Sequence, residues 1–159
     1  HNWGRQHTDR YAWGQVAGFD GDHGESFLEV ASAKLKLGPW WTPWITPIVL
    51  RHRGHEHRLN ALGRSLRARV SLSGFDWRFE SHGHGVRVQG HIHAGRSDFV
   101  GLRYDNPPGG TKQCLNSKIA HAEVTLQHAG GSTETLTSRG RAAFELLGDD
   151  TGHGVPMSC

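Results

Sequence analysis

The chain has 159 residues, the size of one domain built around one hydrophobic core. Its 18 Lys and Arg residues against 15 Asp and Glu residues give a net charge of +3 with no basic arm, which argues against nucleic acid as the partner. Hydrophobic residues make up only 35% of the chain and glycine contributes 22 residues, a composition typical of turn-rich β proteins.

No apolar run approaches the ~20 residues that cross a bilayer, and we expect no signal peptide ahead of the domain. We therefore expect a soluble protein without a transmembrane segment, with the cytoplasm favoured as its compartment. Cys114 and Cys159 are too few for a disulfide framework. A single bridge between them is compatible with the sequence, which leaves that pairing open.

Apolar and polar residues alternate with a period of two along most of the chain, and Gly, Pro, Asn and Asp clusters interrupt this pattern. The alternation predicts about nine strands, at residues 10–19, 26–37, 45–53, 55–60, 66–80, 86–93, 98–104, 117–128 and 133–147. Gly74 and Gly140 are expected to bend the longest of them. Residues 59–66 predict a loop or one short helix, because Gly63 interrupts the segment and Asn60 is its only cap candidate.

The core-facing side chains can be read from this alternation. In the stretch GFDWRFE, Phe75, Trp77 and Phe79 share one face, opposite charged neighbours. The same pattern places further apolar side chains on one face of two later strands, namely Val86, Val88 and Ile92, then Ala120, Ala122, Val124 and Leu126. Closure of an antiparallel sheet best removes exposed edges. We therefore expect one domain over residues 1–159, an all-β, antiparallel up-and-down barrel.

Two aromatic clusters are candidates for ligand contacts. Near the start, Trp3, Tyr11 and Trp13 are placed to surround a barrel mouth; alternatively, Trp3 plugs the barrel end as a structural residue. The segment GPWWTPWITP, residues 38–47, adds three tryptophans among three prolines, so it is expected to be an edge or an excursion from the sheet. This segment is either a ligand gate or a hydrophobic cap. Its tryptophans are Trp40, Trp41 and Trp44.

Histidine is the compositional outlier, with 13 residues. His91 and His93 form one of three His-x-His pairs, a spacing that can present two ligands to one metal. A catalytic zinc site needs a third protein ligand, and no Cys-x-x-Cys or His-Glu-x-x-His pattern supplies it. We therefore expect surface histidines and no metal or other cofactor. A histidine-based metal protein remains an alternative.

The chain resembles the tocopherol-cyclase-like family, which includes carotenoid hydratases and Diels-Alder cyclases. The resemblance rests on Asn2-Trp3-Gly4, on Trp13 and Gln15 in the following strand, and on CLNSKIAHAEV. It extends more loosely over most of the chain. It implies a lipocalin-type fold that corresponds to the second barrel of a two-barrel architecture. Another barrel, or a second copy of this chain, is then a candidate packing partner.

The resemblance also implies a reaction class, the cyclisation or isomerisation of a prenylated, isoprenoid or polyketide-like molecule. Proton-driven cyclisation needs a carboxylic acid held in apolar surroundings. Glu29, inside the apolar run SFLEVASA, is the candidate acid, since it shares its strand face with Phe27 and Ala31. Besides the aromatic residues named above, Trp77 is expected to contact the ligand.

Three functions follow as hypotheses. The first is a barrel that binds a hydrophobic small molecule and cyclises or isomerises it, by resemblance to that family. The second is a carrier without catalysis, or a module that packs against another barrel. The third is the metal-binding histidine protein. An enclosed pocket with an acid or polar clamp favours the enzyme, and a purely apolar pocket favours the carrier.

Overall fold

The computed structural model describes residue 8, residues 10–105 and residues 110–158. Strands account for most of this part of the chain, so the all-β prediction is confirmed. The strands are β1 (Arg10–Val16), β2 (Phe27–Lys34), β3 (Lys36–Leu37), β4 (Trp40–Trp41), β5 (Ile48–His52), β6 (His55–Leu59), β7 (Arg69–Ser73), β8 (Asp76–Gly83), β9 (Val86–His93), β10 (Val100–Asp105), β11 (Thr111–His128), β12 (Thr133–Gly148) and β13 (Met157–Ser158). A short helix, α1 (Leu62–Ser65), and a 3₁₀ turn, Arg96–Asp98, complete the elements.

Eleven of the described strands form one sheet; nine of them follow the order β6-β5-β2-β1-β12-β11-β9-β8-β7, and β10 and β13 join beside β11. β10 pairs with the first part of β11, whereas β9 pairs with its last part. The ladders are antiparallel, as predicted, except for the short parallel pair β10 and β13. β3 and β4 form a separate hairpin that projects from the sheet. The first long strand, β1, lies beside β12 near the chain's end.

The strand boundaries differ from the predicted ones where turns interrupt apolar runs. Residues 66–80 form two strands rather than one, because Gly74 adopts a positive φ of 56° in a tight turn between β7 and β8. Gly140, with φ of 67°, lies where the pairing of β11 with β12 shifts register. Both glycines therefore bend the chain where the sequence predicts. The helix at 62–65 begins after Ala61 rather than Asn60.

The core lies on one face of the sheet. The predicted alternation is confirmed on β8 and β9, where Trp77, Phe79, Val88 and Ile92 are buried. Trp77 is fully buried and comes so close to β1 that a Cβ at Gly14 would lie 3.1 Å from its ring. The middle of the core face is thus filled by the protein's own side chains.

Contacts between strands that are not neighbours show that the sheet curls. His52 on β5 contacts Glu134 on β12, although β2 and β1 separate these strands. The ring centroids of His57 on β6 and His128 on β11 lie 6.0 Å apart. In the described part of the chain no ladder joins the edge strands β6 and β7.

We call the gap between the edge strands β6 and β7 the seam of the curled sheet. The helix α1 follows β6 at this seam. Its Arg64 Nη1 lies 3.0 Å from His84 Nε2 in the turn between β8 and β9. The Arg64 guanidinium also packs so closely on Gly83 that a Cβ there would lie 2.6 Å from its Cζ. The helix therefore ties the β6 side of the seam to the β8–β9 hairpin.

A polar network fastens one end of the curled sheet. Ser26 Oγ lies 2.6 Å from His52 Nδ1, and His52 Nε2 lies 3.1 Å from Glu134 Oε2. Arg53 Nη1 contacts the same carboxylate oxygen at 2.7 Å. Ser26 and His52 are only 1% and 5% exposed, so a substrate cannot reach this hydrogen-bonded series of Ser26, His52 and Glu134. We interpret it as a structural latch between β5 and β12.

We expect Glu134→Gln to destabilise the protein at neutral pH by about 1 kcal/mol, because hydrogen bonds to a charged partner are lost from a partly exposed site. The hydrogen bond from His52 and the charge of Arg53 hold the pKa of Glu134 below its ordinary value near 4.5. The latch therefore stabilises the fold above that pH, and its contribution is lost as the pH falls through the lowered pKa.

Urea unfolding at a series of pH values checks this expectation. The difference in stability between wild type and Glu134→Gln should shrink as the pH falls below about 4.5, the ordinary glutamate pKa. Glu25→Gln, at an exposed position near the same end, is the matched control. An equal difference at all pH values would show that the Glu134 charge does not stabilise the fold.

Candidate functional site

A cavity of about 430 Å³ lies at the end of the sheet opposite the latch. Six segments form it: the start of β1, the start of β11, the end of β12, the loop that follows β12, the turn between β7 and β8, and the β3–β4 hairpin. Its wall contains mainly apolar side chains, with polar groups along one side. The apolar side is lined by Tyr11, Trp41, Leu72, Phe75, Leu115 and Leu146.

The turn at Gly74 shapes one wall. It lets Leu72 and Phe75 approach the cavity from the end of β7 and the start of β8. Leu115 and Leu146 are paired across β11 and β12 and form the facing wall. Trp41 reaches the cavity from the hairpin, outside the main sheet. The cavity is thus an extension of the core at its open end.

A continuous series of aromatic rings connects the cavity with the core. The ring of Phe75, which lines the cavity, lies 4.9 Å from that of Phe99. Phe99 contacts Phe144 edge-on at 5.6 Å, and Phe144 stacks on Trp77 at 5.9 Å. Offset and edge-to-face geometries of this kind are favourable beyond the area they bury. The inner wall of the cavity is therefore firmly packed.

The polar side of the cavity carries hydrogen-bonding groups in defined orientations. His153 Nδ1 accepts a hydrogen bond from the Val155 backbone N–H at 2.9 Å. Its Nε2 consequently carries the proton and donates to Gln113 Oε1. Asp149 also lines the cavity and accepts a hydrogen bond from Lys112 Nζ at 2.7 Å. One end of a guest molecule would meet these polar groups, and the other end would meet leucine and phenylalanine.

A carboxylate lies behind the cavity wall. Tyr11, which lines the cavity, donates its hydroxyl hydrogen bond to Glu145 Oε1. Asn116 Nδ2 donates to the other carboxylate oxygen at 2.7 Å. Burial and the adjacent Glu145 raise the pKa of the Tyr11 phenol far above its ordinary value. Tyr11 therefore stays protonated and connects the cavity with Glu145.

Cys114 belongs to the same cluster and is fully buried. Burial, and next to it the charge of Glu145, raise its pKa to about 12. Because the thiolate is the reactive form of cysteine, this thiol is inert at neutral pH. Cys114 is a free cysteine in the described structure, and Cys159 lies outside the described residues.

Two of the predicted ligand residues line the cavity, Tyr11 and Trp41. Trp3 lies outside the described residues, as do the other residues of the Asn2-Trp3-Gly4 motif. The remaining tryptophans are placed elsewhere. Trp13 and Trp44 lie beneath the ammonium groups of Lys118 and Lys34, at 5.7 Å and 5.0 Å from Nζ to ring centroid.

Trp40 is 76% exposed at the tip of the hairpin, and Trp77 fills the core. Neither residue lines the cavity. The expected ligand contact of Trp77 is replaced by its packing against Phe144, since the alternation that predicts burial does not distinguish a filled core from a lumen.

The expectation that Glu29 lies in apolar surroundings is wrong. Leu28, Val30 and Ser32 occupy the core face of β2, so Glu29 is exposed on the opposite face. A catalytic acid at this position would lack the enclosure that the role requires. Both faces of SFLEVASA are nearly equally apolar, which is why the alternation indicates the wrong face.

Glu145 is the acid that sequence reasoning missed. It lies in the run AAFELL, which offers the same signal as SFLEVASA, one carboxylate inside an apolar strand. Its partner Tyr11 was already a candidate, but their contact spans 134 residues of sequence. Only the pairing of β1 with β12 brings them together.

The histidines of β9 and β11 form a stack on the outer face of the sheet. The rings of His91 and His93 lie 4.7 Å apart, and His93 and His121 lie 5.3 Å apart. His91 Nε2 contacts Asp76 Oδ2 at 2.6 Å. Burial, together with the neighbouring His91 and His121, lowers the pKa of His93. Within residues 8, 10–105 and 110–158, no group of three or more ligating side chains is arranged to hold a metal ion.

Comparisons of the chain with protein-family models, with curated proteins and with solved structures found no match. None of the helices in the described ranges has the length and apolar character needed to cross a membrane. The geometry of the cavity is therefore the basis for a functional conclusion.

Proposed function

We propose that this protein binds a hydrophobic small molecule, prenylated, isoprenoid or polyketide-like, in the cavity at the open end of a lipocalin-type barrel. Three contacts across the seam support a barrel: His52 with Glu134, His57 with His128, and the α1 contact with the β8–β9 turn. The likeness of the sequence to the tocopherol-cyclase-like family supports the same proposal.

The cavity itself carries the proposal. Its volume of about 430 Å³ falls in the range of about 300 to 1,000 Å³ found for ligand sites. Leucine and phenylalanine side chains surround one part, and the Gln113–His153 pair provides polar contacts at another. This arrangement fits an elongated molecule with one polar end, such as a prenyl alcohol or a prenylated phenol.

A fluorescence titration with N-phenyl-1-naphthylamine tests binding. We expect the probe to brighten on entering the cavity, with a dissociation constant around 1 μM, about 8 kcal/mol of binding free energy. Farnesol should displace it in proportion to its concentration. A probe signal no stronger than with heat-unfolded protein, or a signal that farnesol leaves unchanged, would contradict the proposal.

Catalysis is a second candidate function, favoured by the link from the cavity through Tyr11 to Glu145. In the cyclisation that the resemblance implies, a proton adds to one alkene carbon and a phenol oxygen bonds to the other. The phenol then releases its proton, so product and substrate have the same mass. The hydrogen-bonded Tyr11–Glu145 pair would supply the first proton and recover the second.

Incubation with a geranylgeranyl-substituted hydroquinone, followed by chromatography, tests this function. We expect Glu145→Gln to reduce product formation by about 100-fold, at the lower end of effects for general acids, while leaving naphthylamine binding intact. Glu29→Gln, on the exposed face of β2, is the matched control and should keep full activity. Binding without any turnover in the wild type would assign the protein as a carrier instead.

A further inference from the structure

The β3–β4 hairpin is a compact structure that leaves the main sheet. Lys36 pairs with Trp41 and Leu37 pairs with Trp40, with a two-residue turn between them. Gly38 adopts a φ of 61° in that turn, a conformation that favours glycine. Thr42 closes the base, since its backbone N–H donates to the Leu35 carbonyl at 2.9 Å and its hydroxyl accepts from the Leu35 N–H at 2.9 Å.

This closed base presents a strongly apolar tip to solvent. Trp40 is 76% exposed and its cross-strand partner Leu37 is 63% exposed. They are among the most exposed large apolar side chains of the described residues. Adjacent Trp41 lines the cavity, so the tip lies beside the cavity mouth.

Two lysines precede the tip. Between Glu29 and Glu56 the sequence contains no acidic residue, and Lys34 and Lys36 lie in that interval; Asp149 and Asp150 line the neighbouring cavity. Lys34 and Lys36 lie on the strand that leads to the tip. Apolar and aromatic side chains next to lysines are a combination that suits the interface of an anionic bilayer.

We propose that the β3–β4 hairpin docks the protein on anionic phospholipid bilayers, with Trp40 and Leu37 inserted at the headgroup level. Lys34 and Lys36 then face the lipid phosphates. Because Trp41 joins the tip to the cavity, docking places the cavity mouth at the bilayer surface, where hydrophobic molecules are dissolved. The proposal goes beyond ligand binding and does not depend on it, because vesicle binding is measured without any ligand.

The shape of the hairpin favours a bilayer over a second copy of the chain. A stable protein interface buries about 800 Å² on each partner. A convex tip formed by Leu37, Gly38, Pro39 and Trp40 offers far less contact area than that. Fluid lipid, by contrast, surrounds a protruding tip on every side and buries both apolar side chains.

Flotation of the full chain with phosphatidylcholine vesicles containing phosphatidylglycerol tests the proposal. We expect the protein to float with these vesicles, less with phosphatidylcholine alone, and less at high salt. The double variant Leu37→Ala/Trp40→Ala should reduce the partition coefficient about tenfold or more, since two apolar side chains no longer insert. Brominated lipids should quench the wild-type tryptophan fluorescence more than that of the variant.

Leu62→Ala/Leu66→Ala is the matched control, because these leucines of the α1 region are also exposed. It should float like the wild type. Absence of wild-type flotation, or equal flotation of both double variants, would overturn the proposal. A concentration-dependent dimer that the hairpin variant abolishes, without any vesicle binding, would assign the tip to a second copy and overturn it as well.

Discussion

Trp77→Ala should lower the free energy of unfolding by about 3 to 5 kcal/mol, a large part of the 5 to 15 kcal/mol typical of a domain. Trp77 is fully buried and stacks on Phe144 with the ring planes only 12° apart. Its removal leaves a cavity beneath β1 that Gly14, which has no side chain, does not fill. Urea unfolding followed by far-ultraviolet circular dichroism measures the loss.

Trp77→Phe is the matched variant. It keeps an aromatic ring against Phe144 and removes an indole N–H that has no hydrogen-bond partner among the described residues. We therefore expect a loss of less than about 2 kcal/mol. A Trp77→Ala effect below about 1 kcal/mol would mean that this ring does not hold the sheet together.

Gly14 provides an independent check of the same contact. A Cβ at this position would lie 2.5 Å from Ile92 Cδ1 and 3.1 Å from Trp77 Cζ3. Gly14→Ala should therefore destabilise the wild type more than it destabilises the Trp77→Ala variant. A double-mutant cycle gives this coupling directly.

The core of β8, β9 and β11 follows from the sequence because each strand has one apolar and one polar face. Trp77 and Phe79 are buried, whereas Arg78 between them is exposed. Val124 and Leu126 on β11 obey the same rule. In these strands, burial of the apolar side chains away from water decides which face of the strand points to the core. The period-two alternation of the sequence is enough to predict that face.

The rest of the site depends on contacts that a period of two does not encode. In β2 both faces are apolar, so the position of Glu29 is decided by the ladders to β1 and β5. The Tyr11–Glu145 contact arises from the pairing of the first and twelfth strands. Trp40 and Trp41 are neighbours in the same tryptophan-rich segment, yet the hairpin register sends one to solvent and one to the cavity.

Leu146→Trp should weaken binding of N-phenyl-1-naphthylamine at least tenfold, about 1.4 kcal/mol, because the larger ring occupies part of the cavity. Leu72→Trp should have the same effect from the opposite wall, on β7. Leu62→Trp, at an exposed position on α1, is the matched control and should bind like the wild type.

Two variants on different strands allow a loss of binding to be distinguished from a loss of folding. Thermal unfolding of each variant establishes that the sheet is intact before binding is compared. Loss of binding in both variants, with unfolding transitions close to that of the wild type, is the expected result. Wild-type affinity in both would show that the probe binds elsewhere.

Photo-crosslinking with a diazirine-bearing farnesol, followed by peptide mapping, tests most directly whether the open end of the curled sheet holds a hydrophobic guest. We predict crosslinks in the β7–β8 turn around Leu72 and Phe75 and at the end of β12 around Leu146, suppressed by unlabelled farnesol. Crosslinks confined to the outer face, for example at the exposed Ile119, or labelling that farnesol does not suppress, would contradict the account.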